Sequence, residues 1–195
     1  MPEATEWTFF GAATEIDDGF SASWADVSLA LAWDLQEAAS ESIGFALSAT
    51  QTNALRISQA NLAAALPAAF VLAGVEVEVR GRWIGASSGS RSVPLEAVVG
   101  GTLKKSLGSG SLPLSSTGVF TKGGPTDRMN LTESDVLDPN FGFRLWGAST
   151  TGDAAGNALR IDTVRVRVHW DEPSAVKARG RGRSRLAFSR LLAAV

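Results

Sequence analysis

The sequence contains no cysteine and no tyrosine, and its one histidine stands at position 169. Without cysteine there is no disulfide, no thiolate metal site and no cysteine nucleophile. A serine-histidine-aspartate site would have to use His169, and no GxSxG elbow presents a serine to it. Long apolar runs are missing too. The most apolar stretch, residues 62–75, is interrupted by Pro67 and Gly74, so no window supplies the roughly 18 apolar residues that a membrane-crossing helix needs. The opening MPEATEWTFF lacks the basic start and continuous apolar core of a secretory leader, and export by that route is not expected.

What is present is small, flexible and aromatic: 20 glycines, 9 phenylalanines and 6 tryptophans in 195 residues, 45% of them hydrophobic. That length suits one sandwich-sized domain. The composition favours short strands joined by tight turns over a helical bundle. The net charge of −2 conceals an asymmetry, because six of the 18 basic residues (Lys177, Arg179, Arg181, Arg183, Arg185 and Arg190) fall in residues 173–195, where there is no acid. Residues 1–172 therefore hold 12 basic against 20 acidic side chains, a net −8. An acidic body carries a cationic arm, and the arm calls for a partner of its own.

Period-two alternation marks three strands. In TVRVRVHW, residues 163–170, Val164, Val166, Val168 and Trp170 face one way, and Arg165, Arg167 and His169 the other, which makes His169 an exposed strand residue. In GVEVEVRGRW, residues 74–83, Val75, Val77 and Val79 alternate with Glu76, Glu78 and Arg80. The opposite charge patterns of these outer faces are suited to pairing across neighbouring strands. In NFGFRLWG, Phe141, Phe143 and Leu145 alternate with Gly142 and Arg144. Further strands are expected at residues 7–10, 27–33, 43–49, 54–57, 93–99 and 103–107. Turn clusters at IDDG, ASSGS, GSGS and TTGDAAGN separate them. Short helices are expected at residues 33–42, rich in alanine, and at 132–137, where Thr132 caps with Asp135 three residues on.

The arm has two parts. Residues 174–184 alternate Arg and Gly and cannot bury a core. From Arg185 onward, Phe188, Leu191, Leu192 and Val195 recur at helical spacing, with Arg185 and Arg190 off that stripe. Such a helix is too short to stand alone and fits a groove on a partner. Arg179, Arg181, Arg183, Arg185, Phe188, Leu191, Leu192 and Val195 are the candidate partner-binding residues. An arginine-rich arm also binds phosphates, but the acidic body repels a nucleic acid and the apolar end has no role there. A protein groove is the favoured reading.

Catalytic chemistry finds little to work with. The carboxylate pairs Asp17/Asp18 and Glu133/Asp135 are close in sequence and read as turn and cap residues. The IDDG and DAAGN turns lack the acidic spacing of a calcium loop, and no glycine-rich phosphate loop carries a lysine. No catalytic residue, metal or cofactor is expected, and the chain is read as non-enzymatic. Exposed tryptophans stack on sugar rings, and jelly rolls are common among lectins. Trp7, Trp83 and Trp170 fall on strand patterns and are read as core, which leaves Trp24, Trp33 and Trp146 as candidate glycan contacts, Trp146 facing outward after Leu145.

In order, the segments WTFFGAATEIDDGFSASW, LPAAFVLAGVEVEVRGRW, DVLDPNFGFRLWG and ALRIDTVRVRVHW resemble a family of jelly-roll-like structural domains of tailed-phage and prophage virion proteins. The coupling of GVEVEV, PNFGF and IDTVRVRV in that order is the most specific part of the likeness. His169 and Trp170 replace the usual closing aromatic pair, residues 118–130 are only loosely similar, and the basic arm lies outside the pattern. The resemblance implies a virion component such as a head decoration, spike base, neck or tail appendage, and transfers no catalytic residue. The expected architecture is all-β: an antiparallel jelly-roll-type sandwich over residues 1–172, then an arm over 173–195 ending in a short amphipathic helix. The expected function is attachment to capsid, neck or tail proteins, with head decoration favoured and the chain itself forming a homo-oligomer. The alternative is an adhesin recognising host surface glycan.

Overall fold

A computed structural model describes residues 1–20, 22–41, 51–85, 90–149 and 156–173. The strands are β1 (Glu3–Ala4), β2 (Thr8–Phe9), β3 (Ala12–Ile16), β4 (Trp24–Ala25), β5 (Ala38–Ser40), β6 (Ala54–Ser58) and β7 (Val71–Gly85). They continue with β8 (Arg91–Val99), β9 (Thr102–Gly110), β10 (Gly118–Gly123), β11 (Phe141–Leu145), β12 (Ala148–Ser149) and β13 (Asn157–Asp171). A short helix, α1 (Glu133–Leu137), precedes β11.

These strands form two antiparallel sheets stacked as a sandwich. The larger, 7-stranded sheet runs β10-β7-β13-β5-β4, with β1 and β2 also on β13. The smaller, 6-stranded sheet runs β12-β8-β11-β6-β3, with β9 along the other edge of β8. The spine of the larger sheet is legible in the alternation. Val75, Val77, Val79 and Trp83 of β7 point inward with Leu159, Ile161, Val164, Val166 and Val168 of β13, all buried. They meet Leu55 and Ile57 of β6, Leu95 of β8, and Phe141, Phe143 and Leu145 of β11 in one core. Burial of this apolar surface is the main force holding the two sheets together.

Register decides the outer surface. Antiparallel pairing sets Arg165 directly opposite Glu78 and Arg167 directly opposite Glu76. Arg165 Nε then lies 2.7 Å from Glu78 Oε1, and Arg167 Nη2 2.6 Å from Glu76 Oε2. On the smaller sheet, Gly142 lets β11 approach β6 closely, since a Cβ there would run into the carbonyl oxygen of Ile57. Pro94, which has no N–H to give, sits where the β8–β9 ladder shifts register, as a proline inside a sheet must.

Thr132 caps α1 as the sequence indicates: its hydroxyl accepts the Asp135 N–H at 3.2 Å while the Asp135 carboxylate accepts the Thr132 N–H at 2.9 Å.

Several expectations are corrected. Residues 27–33 do not form a strand: Val27–Ala30 is a 3-10 turn, entered through Asp26 at φ 53. The helix expected over 33–42 does not form in its described residues, 33–41. Leu35 takes a left-handed φ of 68, and Ala38–Ser40 becomes β5, because pairing with β13 outweighs the helical propensity of alanine. The segment 118–123, unremarkable in sequence, is the edge strand β10, paired with β7 from Gly118 to Gly123. The expected strand at 43–49 and the whole arm beyond Pro173, with its expected helix, lie outside the described residues.

Candidate functional site

Two outer faces carry the side chains of interest. On the larger sheet, Phe9 lies directly opposite Arg165 and so shares its outward face. Trp7, two residues earlier, shares that phase, and the segment after the 3-10 turn lays Trp33 over the same surface. The Arg165 guanidinium lies 4.2 Å from the Trp33 ring centroid and 4.8 Å from that of Trp7. Arg80 lies 4.2 Å from the Trp33 centroid, and Arg167 4.6 Å from that of Trp7. Each guanidinium thus serves an aromatic ring and a carboxylate together, a cation–π contact on one side and an ion pair on the other. Phe9 and Trp33 remain 42% and 43% exposed.

Asp162 pins the Trp33 segment to the sheet. Its side chain is wholly buried; Oδ1 accepts the Leu35 N–H at 2.9 Å, and Oδ2 lies 3.1 Å from Arg80 Nη1. Burial pushes the Asp162 carboxyl above its ordinary value, against the pull of Arg80 and the Leu35 N–H, with Asp34 and Glu37 adding to the rise.

His169 is not the exposed strand residue its alternation indicates. It is only 6% exposed, because β1 pairs over it (Ala4 opposite His169) and the β7–β13 register shifts immediately after it. Its Nε2 lies 3.2 Å from Glu76 Oε2, the oxygen that also meets Arg167.

The tryptophans divide. Trp24 is a core residue, 7% exposed, its indole N–H donating to the Asn53 carbonyl at 2.7 Å, so it presents no ring face to a ligand. Trp33 belongs to the larger sheet's outer face. Trp146 stands on the smaller sheet's outer face, half-buried, with the Arg144 guanidinium 5.6 Å from its centroid. The three candidates are therefore not gathered at one place. Trp83 is fully buried and Trp170 packs against the core, whereas Trp7 faces out beneath Arg165 and Arg167. Sequence reasoning missed Trp7, Phe9, Arg80, Arg165 and Arg167 as one surface. The alternating arginines were visible, but nothing local showed which aromatics would fold over them. The candidate arm residues, Arg179 to Val195, lie outside the described residues.

The carboxylates noted in the sequence are tied into the scaffold. Asp18 Oδ2 meets Arg144 Nη2 at 2.5 Å, and Asp17 accepts the Gly19 N–H at 2.9 Å. Glu133 accepts the Leu72 N–H at 2.9 Å, and Asp135 meets Lys104 at 2.9 Å. Among the described residues, no three His, Asp or Glu side chains gather where they could hold a metal ion. A surface cavity of about 320 Å³ is lined by Gln59, Ala60, Asn61, Ala63, Leu137 and Pro139, without a titratable group.

These ties predict an acid limit to stability. Burial would raise Glu76, but hydrogen bonds from Arg167 and His169 and their charges outweigh it and hold the carboxyl below its ordinary 4.5. Lys105 holds Asp127 below 3.8, with the Met129 N–H assisting. The Leu72 N–H lowers Glu133, and Lys104 and Thr132 overcome burial to lower Asp135. The folded state binds these four protons less tightly than the unfolded chain, so their contribution is complete above about pH 5 and is lost as pH falls through the lowered values. Asp162 works in the opposite sense, one group against four. The urea midpoint should be level from pH 7 to about pH 5.5 and fall steadily below about pH 4.5. A midpoint still level at about pH 3.5 would refute the assignment.

No family model and no curated protein matches the chain. Among solved structures it is similar to the CBM22-1 xylan-binding domain of Paenibacillus barcinonensis Xyn10C, at 12% identity over 86% of this chain and 95% of that one, TM-score 0.41. It is also similar to the tandem CBM22-1-CBM22-2 domain of the same protein, at 10% identity over 88% of this chain and 48% of that one, TM-score 0.43. A Stig cyclase, Fisc from Fischerella sp. TAU, follows at 10% identity over 83% of this chain and 90% of that one, TM-score 0.33. The sandwich assignment itself rests on the strand pairing described above.

Proposed function

We propose that this chain is a non-catalytic structural protein of a tailed-phage particle, held to neighbouring virion proteins by its surfaces, with head decoration the favoured position. The observation that carries this reading is the outer face of the larger sheet. Trp7, Phe9 and Trp33 are interleaved there with Arg80, Arg165 and Arg167, and aromatic rings with arginine are the composition enriched at protein interfaces. The acids of that face are committed to arginines or to His169, which suits a surface made for contact more than for proton transfer. The motifs behind the resemblance supply the framework: GVEVEV lies in β7, PNFGF leads into β11 and IDTVRVRV lies in β13.

Docking would cover Phe9, Trp33 and the exposed Leu35, about 1.5 to 3 kcal/mol for each side chain fully enclosed. Residues 173–195 are the second attachment, Phe188, Leu191, Leu192 and Val195 entering a groove and the arginines orienting them on an acidic rim. Many copies held this way on a symmetric shell become collectively tight. The test is incorporation into particles. Trp33→Ala and deletion of residues 173–195 should each lower the copy number several-fold, and together abolish it. Full incorporation of the doubly altered chain would end the proposal.

A second reading, a glycan-binding adhesin on the same kind of particle, is favoured by one observation: Trp146 stands beside Arg144 on the opposite outer face, away from the aromatic–arginine surface.

A further inference from the structure

We infer that the outer face of the smaller sheet is a binding site for an acidic saccharide, a sugar carrying a carboxylate, with Arg56, Arg144 and Trp146 as its contacts. The inference rests on the glycan-binding reading and adds both the charge of the sugar and its place. It begins with Arg56, whose directly opposite neighbour on β11 is another cation, Arg144. Like charges directly opposite in a sheet are destabilising; the larger sheet has such a pair too, Arg82 opposite Arg160, and there Glu37 pairs with Arg82 at 2.9 Å. Here Arg144 is shared by Asp18 at 2.5 Å and Glu96 at 3.7 Å, while Arg56 has no ion pair among the described residues. On its other side Arg56 meets Thr14 of β3, which is uncharged. The Nε atoms of both arginines are shut off from water with no hydrogen-bond partner among the described residues.

The surroundings add an aromatic ring and hydroxyls. Gly142 is itself buried against the β6 backbone, and Arg56 extends from β6 toward the β8–β9 turn. Its Nη1 comes within 4.0 Å of where a Cβ on Gly101 would stand. Trp146, just past the end of β11, follows Arg144 on the same face, its backbone N–H donating to the Pro94 carbonyl at 3.4 Å. Ser106 stands opposite Glu96 on β9. A guanidinium fork matches a carboxylate in two parallel hydrogen bonds, an indole face receives the C–H surface of a pyranose, and hydroxyls and Glu96 complete the polar contacts. A protein carboxylate would use the arginines equally well, but it gives the indole no role. The aromatic platform favours the sugar.

The test uses the full chain and oligogalacturonate, with an uncharged oligogalactoside of equal length and an oligoglutamate of equal charge, measured by calorimetry. Oligogalacturonate should bind, the uncharged sugar at least ten-fold more weakly, and oligoglutamate should not displace it. Arg56→Ala and Trp146→Ala should each weaken binding ten-fold or more. Arg56→Lys, which keeps the charge and loses the fork, should weaken it by a smaller factor. Unchanged melting temperatures exclude unfolding as the cause. Val119→Ala, on the exposed edge strand β10 of the other sheet, should bind as the parent does. Equal binding of both sugars would overturn the acidic specificity while leaving the glycan reading standing. Absence of any sugar binding would overturn both. Displacement by oligoglutamate would overturn the saccharide and mark the face for an acidic protein.

Discussion

Replacing Trp83 by alanine should cost about 3 to 5 kcal/mol, enough to leave much of the protein unfolded at 37 °C. Trp83 is among the largest side chains enclosed completely, and it stands on β7, the strand that pairs with both β13 and β10. Gly147 leaves room for it: a Cβ there would come within 2.9 Å of the indole Cη2. Truncation therefore opens a hole in the core beneath a strand paired on both sides, one that the paired backbones cannot close by sliding. The indole N–H has no hydrogen-bond partner among the described residues, so Trp83→Phe should be far milder, within about 1.5 kcal/mol. Urea unfolding followed by circular dichroism separates the two. Equal losses would mean that the indole nitrogen, and not the volume, holds the site together.

The framework was readable because its strands obey a period of two with charges of opposite sign on their outer faces. Alternating Val with Glu in β7 and Val with Arg in β13 specify both which face is buried and which strand is the neighbour, and the pairs Arg165–Glu78 and Arg167–Glu76 follow. Short strands carry no such signal. β1, β2 and β5 have two or three residues each and exist because β13 offers an edge to pair with. The same cause misplaced His169: alternation puts it outside, but pairing with Ala4 covers it. Legibility of the sites was poorer still. Trp7 and Trp33 are far from Arg165 in sequence, and only the folded chain stacks them. Arg56 carried no local mark at all, since its meaning lies in facing Arg144 across a strand pair.

Asp162 is where sheet register, loop conformation and charge meet, and its removal should be the second costly change. Asp162→Ala leaves the Leu35 N–H without its acceptor and Arg80 beside a void, at a cost of about 3 kcal/mol. It should also loosen the segment that presents Trp33, visible as a change in tryptophan fluorescence. Asp162→Asn keeps an acceptor for Leu35 and discards a poorly solvated charge, so it should cost only about 1 kcal/mol at pH 7. The pH dependence is the sharper test. Because burial raises this carboxyl, the folded state holds its proton more tightly than the unfolded chain, and Asp162 grows less favourable to folding as pH rises through its folded value. The margin of the parent over Asp162→Asn should therefore widen as pH falls from 7 toward 4. A margin that narrows instead would mean that attraction to Arg80 exceeds the cost of burial, and that the Trp33 segment is held by charge more than by the Leu35 hydrogen bond.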